Sequence, residues 1–180
     1  MVHVLNEHHT LLAADAEIVG CLLDRLGADD DALWPRRAWP AMHLDRPLAV
    51  GSSGGHGPIR YRVESYEQGR SVAFRFTGPR GFDGRHTLSI ERRGPQHTLL
   101  AHVIDMRIHG PALLAWPLIF RPLHDALIED AMAVAEVRIG MPIRMRPWSL
   151  YVRVLRWLMT AGRARSQQSL PHPVGPKPNA

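Results

Sequence analysis

The chain is poor in the residues that build crosslinks and metal clusters: its 180 residues include a single cysteine, Cys21. No intrachain disulfide can form, and neither a cysteine zinc cluster nor an iron–sulfur centre can be built. Set among Ile18, Val19, Leu22 and Leu23, that thiol is expected to be buried and inert. A secretory leader is not expected either. "MVHVLNEHHT" has neither a basic start nor an apolar stretch, so the expectation is a cytoplasmic protein. Nor is there a run of about 20 apolar residues, the length a membrane-spanning helix needs. The best candidate begins at Pro111 and stops at Phe120, before Arg121.

Several chemistries lack their motifs. There is no Gly-x-Ser-x-Gly elbow for a serine nucleophile, and no carboxylate pair placed for glycoside hydrolysis. "GSSGGHG" (51–57) has glycines and hydroxyls but not the closing Gly-Lys-Ser/Thr or the following helix of a phosphate loop. It reads as a mobile rim or hairpin loop. The histidines number 11, yet their spacing is not that of metal ligands. His8 and His9 are adjacent and point to opposite faces of a strand, and no helix carries His-x-x-x-His. His102 does not share strand parity with Asp105 and His109. No metal and no cofactor are expected.

What remains is a chain of ordinary globular composition, 45% hydrophobic and 22% charged, long enough for one domain. Its net charge of +5 is unevenly placed. Residues 1–136 carry all 17 acids against 14 arginines; residues 137–180 carry seven arginines and Lys177 with no acid. The positive charge is an appendage to a mildly acidic body, and a nucleic-acid partner is not expected.

The order of elements follows from periodicity. Residues 3–14 read as a strand, without clean alternation. Asp15 is placed to cap a helix whose Ile18, Val19, Leu22, Leu23 and Leu26 recur at three and four. "ADDDALWPRRAWP" admits only short turns, and 46–50 reads as a short strand entering the glycine-rich loop. Alternating stretches at 59–67, 71–77, 85–93 and 97–110 are separated by gaps too short for crossover helices, so they form antiparallel hairpins. Between the middle two, "GPRGFDG" is a loop whose Phe82 either closes a cavity mouth or pins the turn. The fold class is α+β: a meander whose apolar face is covered by the last long helix. That helix either starts near Pro122, after an irregular lead-in, or runs longer with a kink at Pro117.

Three stretches, "LLAADAEIVGCLLDRL", "RYRVESYEQGRSVAFRF" and "HGPALLAWPLIFRPLHDALIEDAMAVAE", resemble the helix-grip superfamily. This superfamily, SRPBCC, includes START lipid-transfer domains, birch-pollen-allergen relatives and polyketide cyclase/dehydrase-like proteins. The likeness spans about residues 3–138, and its strongest feature is the helix start at Ala14–Glu17. The resemblance implies a curved antiparallel sheet gripping a long helix, with an apolar cavity for a hydrophobic ligand between them. The domain is thus 1–140, followed by a basic amphipathic extension at 141–165 and a disordered tail at 166–180.

On this reading the inner face of the last strand holds Leu100, His102, Ile104 and Met106. His86 and Leu88 lie on the neighbouring strand, and Tyr61 and Phe74 further along the sheet; Trp116, Phe120, Leu123 and Leu127 come from the helix. Tyr61, His86 and His102 would form a polar anchor in this apolar lining, if strand register brings them together. They are also the candidates for acid–base work in a cyclase-like enzyme that enolises and dehydrates its substrate. The alternatives are a carrier of a hydrophobic small molecule or lipid, and an interaction domain whose interior is filled by Phe74, Phe76, Trp116 and Phe120. In the extension, a helix over 148–161 would place Ser149, Arg153, Arg156 and Thr160 on one polar arc. It would contact an anionic membrane, the domain itself or a second subunit.

Overall fold

The computed structural model describes residues 1–142 and 146–159. A seven-stranded antiparallel sheet has the spatial order β1-β7-β6-β5-β4-β3-β2, with β1 Val2–Leu12, β2 His43–Leu44, β3 Ser53–His56, β4 Ile59–Glu67, β5 Ser71–Gly78, β6 Phe82–Gly94 and β7 His97–Ile108. Helix α1 is Ala16–Asp24. After β7 comes one helical path: α2 Ala112–Ala115, a wide π turn Trp116–Phe120, and α3 Arg121–Arg138. Helix α4 is Leu150–Met159. This is the helix-grip architecture that the resemblance implied.

The strands form because their inner faces alternate. Thr98, Leu100, His102, Ile104, Met106 and Ile108 of β7 are all buried, as parity predicted. β1 alternates just as strictly, with Asn6 and Leu12 buried and His8 and Thr10 half-buried on the inside. Its middle inward residues are polar, which is why no hydrophobic period was visible.

Several expectations need correction. The middle of the glycine-rich run, Ser53–His56, is strand β3 rather than loop: a Cβ on Gly54 would lie 2.0 Å from the His43 carbonyl oxygen, and one on Gly55 2.1 Å from that of Ile59. These glycines let the edge strands approach closely. The short strand expected at 46–50 is a bend leading into a turn at Val50; the strand preceding β3 is His43–Leu44. β6 begins at Phe82, whose ring is buried against Phe76, Trp116 and Phe120. Asp15 occupies the N-cap position of α1, but its side chain makes no capping bond. Cys21 is exposed, because α1 buries Val19, Gly20 and Leu23 and turns Ile18 and Cys21 outward.

Both readings of the long helix contained part of the answer. The path is continuous from α2, and Pro122 lies in the first turn of α3. Pro122 has no N–H for the carbonyl of Leu118, four residues earlier. The Tyr151 hydroxyl donates to that oxygen at 2.6 Å, tying α4 to the wide turn. A second tie is deeper. Asp130 of α3 accepts the indole N–H of Trp39 at 2.7 Å and of Trp148 at 2.9 Å. The Arg156 guanidinium stacks on both rings, 4.2 and 4.1 Å from their centroids, and donates to the Ala38 carbonyl. Arg156 is therefore an anchor on the body, not part of a water-facing arc. Thr160 and the tail at 166–180 lie outside the described residues.

Among the described residues, no helix is long and apolar enough to cross a membrane.

Candidate functional site

Register brings the candidate histidines together. His8 of β1 pairs with His102 of β7, and His102 pairs with Leu88 of β6. His86 lies two residues from Leu88, and its Nδ1 is 3.3 Å from His102 Nε2. The His86 ring stacks between Phe74 and Phe76, with centroids 4.9 and 5.1 Å away, and meets Tyr61 edge-on at 5.1 Å. Tyr61, His86 and His102 thus share one buried face.

Three further imidazoles extend the row. His124 of α3 lies over the sheet, 4.9 Å from His102 and 5.7 Å from His8 between ring centroids. At the other end, His56 Nδ1 is 3.3 Å from the Tyr61 hydroxyl, and its ring packs on Trp34. The sequence reading missed His8, His56 and His124. Strand parity places His8 inside once β1 is paired with β7; for His124, the signal is its neighbour Leu123 on the apolar stripe.

The row runs between two apolar clusters. Tyr61, Phe74, Leu88, Leu100, Leu123 and Leu127 belong to the first. Ile104, Met106 and Trp116 belong to the second, with Phe120 packed against it. The aliphatic and aromatic residues expected to line a cavity therefore belong to these two packed clusters, with His86 and His102 between them. Four ring nitrogens of that seam are buried and have no hydrogen-bond partner: His86 Nε2, His102 Nδ1 and both nitrogens of His124.

The electrostatics of the seam favour neutral rings. Burial pushes His56 down to about 3, with the His124 and Arg60 charges adding to it. His86 and His102 are pushed well below the ordinary histidine value, first by burial and then by neighbouring imidazoles. His124 is also lowered by burial, against the opposing pull of Asp125. Burial raises the phenol of Tyr61.

At the β1 end the seam meets a carboxylate. Asp125 Oδ1 accepts from Asn6 Nδ2 at 3.0 Å and lies 3.1 Å from His8 Nε2. Its Oδ2 pairs with Arg121 at 3.7 Å. Burial would raise this carboxyl, but His124, His8 and Asn6 outweigh it and hold it well below the usual range. Beside the cluster a cleft of about 290 Å³ opens between β1 and the start of the helical path, with Val4, Asn6, Ile108, Leu113, Trp116 and Arg121 among its walls. Asn6 belongs to both cleft and cluster.

No family model matches the chain, and no curated protein does. Solved structures share its fold. A protein from Thermobifida fusca is 16% identical with a TM-score of 0.60, covering 76% of this chain and 93% of its own. Norcoclaurine synthase from Thalictrum flavum, solved with dopamine and hydroxybenzaldehyde, is 15% identical with a TM-score of 0.57, covering 79% and 90%. A START superfamily protein from Mycobacterium smegmatis is 15% identical with a TM-score of 0.51, covering 77% and 97%. At these identities the likeness is one of fold.

Proposed function

We propose that this chain binds a hydrophobic small molecule carrying one hydrogen-bonding group, admitted through the cleft between β1 and the wide helical turn. The observation that carries this reading is the set of four buried imidazole nitrogens without hydrogen-bond partners. Each such atom costs about 1–3 kcal/mol unless something bonds it. A ligand hydroxyl or carbonyl among His86, His102 and His124 would recover that energy, while its apolar frame contacts Ile104, Met106, Trp116 and Phe120. Of these contacts Trp116 alone lines the cleft, which is therefore the entrance rather than the site; at about 290 Å³ it admits a ring compound more readily than a two-chain lipid. Neutral imidazoles can both donate and accept, so a hydroxyl is as acceptable as a ketone.

The test compares naphthalene with 2-naphthol by tryptophan fluorescence. Wild type should prefer the naphthol by about tenfold, the worth of one net hydrogen bond. His102→Leu should erase the preference while leaving naphthalene binding intact. Equal affinities for the two probes in wild type would overturn the reading.

A second reading is favoured by Asp125, which gives the seam a carboxylate at one end. A ketone held beside His102 and His124 would give its α-proton to one neutral imidazole while the other's N–H donates to the carbonyl oxygen, and would take the proton back at the same carbon, as in a cyclase-like enolisation. Its signature is exchange of α-hydrogens of a bound ketone such as 2-tetralone for deuterium. Exchange no faster than in buffer would remove it.

Loading at an anionic lipid surface fits the exterior. Leu114 and Leu118 beside the cleft, and Leu150, Val154 and Leu158 on α4, are exposed apolar residues, in a C-terminal region without acids. Co-sedimentation with phosphatidylserine vesicles, but not phosphatidylcholine vesicles, is expected; equal binding to both would discard this part.

A further inference from the structure

We propose that His8, His124 and Asp125, with Asn6 beside them, form a binding site for one first-row divalent metal ion. The site goes beyond the ligand reading and does not depend on it. Spacing along the chain excludes a local metal motif, but this group is assembled from β1 and α3, more than a hundred residues apart in sequence.

The ligand atoms of the three residues all lie within 4.8 Å of one another. Asp125 Oδ1 is 3.1 Å from His8 Nε2 and 3.6 Å from His124 Nδ1. In a tetrahedral centre with bonds of about 2.0–2.1 Å, ligand atoms are about 3.4 Å apart. The two separations bracket that edge. The longer one is too great for a hydrogen bond, so His124 stands at ion-pair distance from a carboxylate without hydrogen-bonding it. A shared cation accounts for this placement, since both atoms can then use their lone pairs.

The donor set also suits such an ion. Two imidazoles and one carboxylate are borderline ligands that favour zinc, iron(II) or cobalt over calcium or magnesium. Asn6 Oδ1, 3.2 Å from His8 Nε2, is placed as a further oxygen ligand. Arg121 pairs with Oδ2 of Asp125, which leaves Oδ1 facing the rings. The carboxylate and two neutral rings would leave a bound dication with one net positive charge and a coordination position for water or an anionic oxygen. Because Asn6 lines the cleft, that position is close to any guest held there. His102, 4.9 Å from the His124 ring, would be its neighbour on the inner side.

The experiment uses the full chain, stripped with a chelator and titrated with Co²⁺ alone and then Zn²⁺ alone. One equivalent of Co²⁺ should bind with the visible absorption bands of a low-symmetry four- or five-coordinate site, and Zn²⁺ should displace it. His8→Ala, His124→Ala and Asp125→Asn should each weaken Zn²⁺ at least 100-fold in calorimetry. His97→Ala, an exposed histidine of β7, should bind as wild type does. Circular dichroism melts establish that the variants are folded; His8→Ala, at a half-buried edge-strand position, keeps the test open if an α3 variant fails to fold. Failure of Co²⁺ and Zn²⁺ to bind stoichiometrically, or wild-type affinity in any folded ligand variant, overturns the site.

Discussion

Two buried polar groups flank α3, and they are built on opposite terms. On one side, Asp130 accepts two indole N–H bonds while Arg156 stacks on both indoles. Each indole N–H has its acceptor, and two separate segments, 38–39 and 148–156, are pinned to one helix. On the other side, His86, His102 and His124 leave four buried nitrogens without hydrogen-bond partners. Polar atoms that are fully matched hold a fold together; polar atoms that are not matched lower its stability and remain available to something else.

The comparison can be broken by replacing one residue on each side with leucine. Asp130→Leu orphans two indole donors and should cost about 4 kcal/mol, or roughly 10 °C in Tm for a chain of this length. His102→Leu removes one unsatisfied nitrogen, Nδ1, together with the Nε2 contact to His86, so gain and loss offset and stability should stay within about 1 kcal/mol of wild type. A loss at His102 as large as that at Asp130 would make the seam a structural network like the other. The second test is acid. His56 and His86 stay neutral in the folded state while their unfolded counterparts take up protons below about pH 6.5. The unfolded state then binds more protons, so stability falls as pH falls, by about 1.4 kcal/mol per pH unit for each group. Asp130 has the opposite sign: burial raises its carboxyl despite the indole bonds, so protonation is easier in the folded state. Urea midpoints between pH 6.5 and 4.5 should decline less steeply in His86→Leu than in wild type. Parallel slopes would mean that the rings are charged or bonded inside the fold.

How much of this was legible depended on whether burial left an apolar trace. β7 could be read residue by residue because four of its six inward positions are aliphatic or thioether side chains. β1 hid its alternation behind Asn6, His8 and Thr10, which face Asp125 and Glu136 of α3 rather than hydrocarbon. Its role in the site was therefore invisible, since polar-to-polar matching across 117 residues leaves no local period. Gly54 and Gly55 looked like punctuation because a close backbone approach and a flexible turn use the same residue. Arg156 looked solvent-facing because a helical wheel cannot register two indoles waiting on the other side. The three polar residues chosen from strand parity, Tyr61, His86 and His102, do share a face, and that followed from period two alone once register was known.

The wide turn at Trp116–Phe120 sets an angular phase. A helix advances about 100° per residue, and a π turn absorbs one extra residue without lengthening the path by a full step. Everything after Phe120 is thereby rotated relative to α2. With that offset, Trp116 and His124 come to the same side, 6.1 Å apart, although a regular helix would turn them away from each other by about 80°. Taking one residue out of this turn would rotate His124 and Asp125 off β1 while leaving the hydrophobic content of the helix almost unchanged.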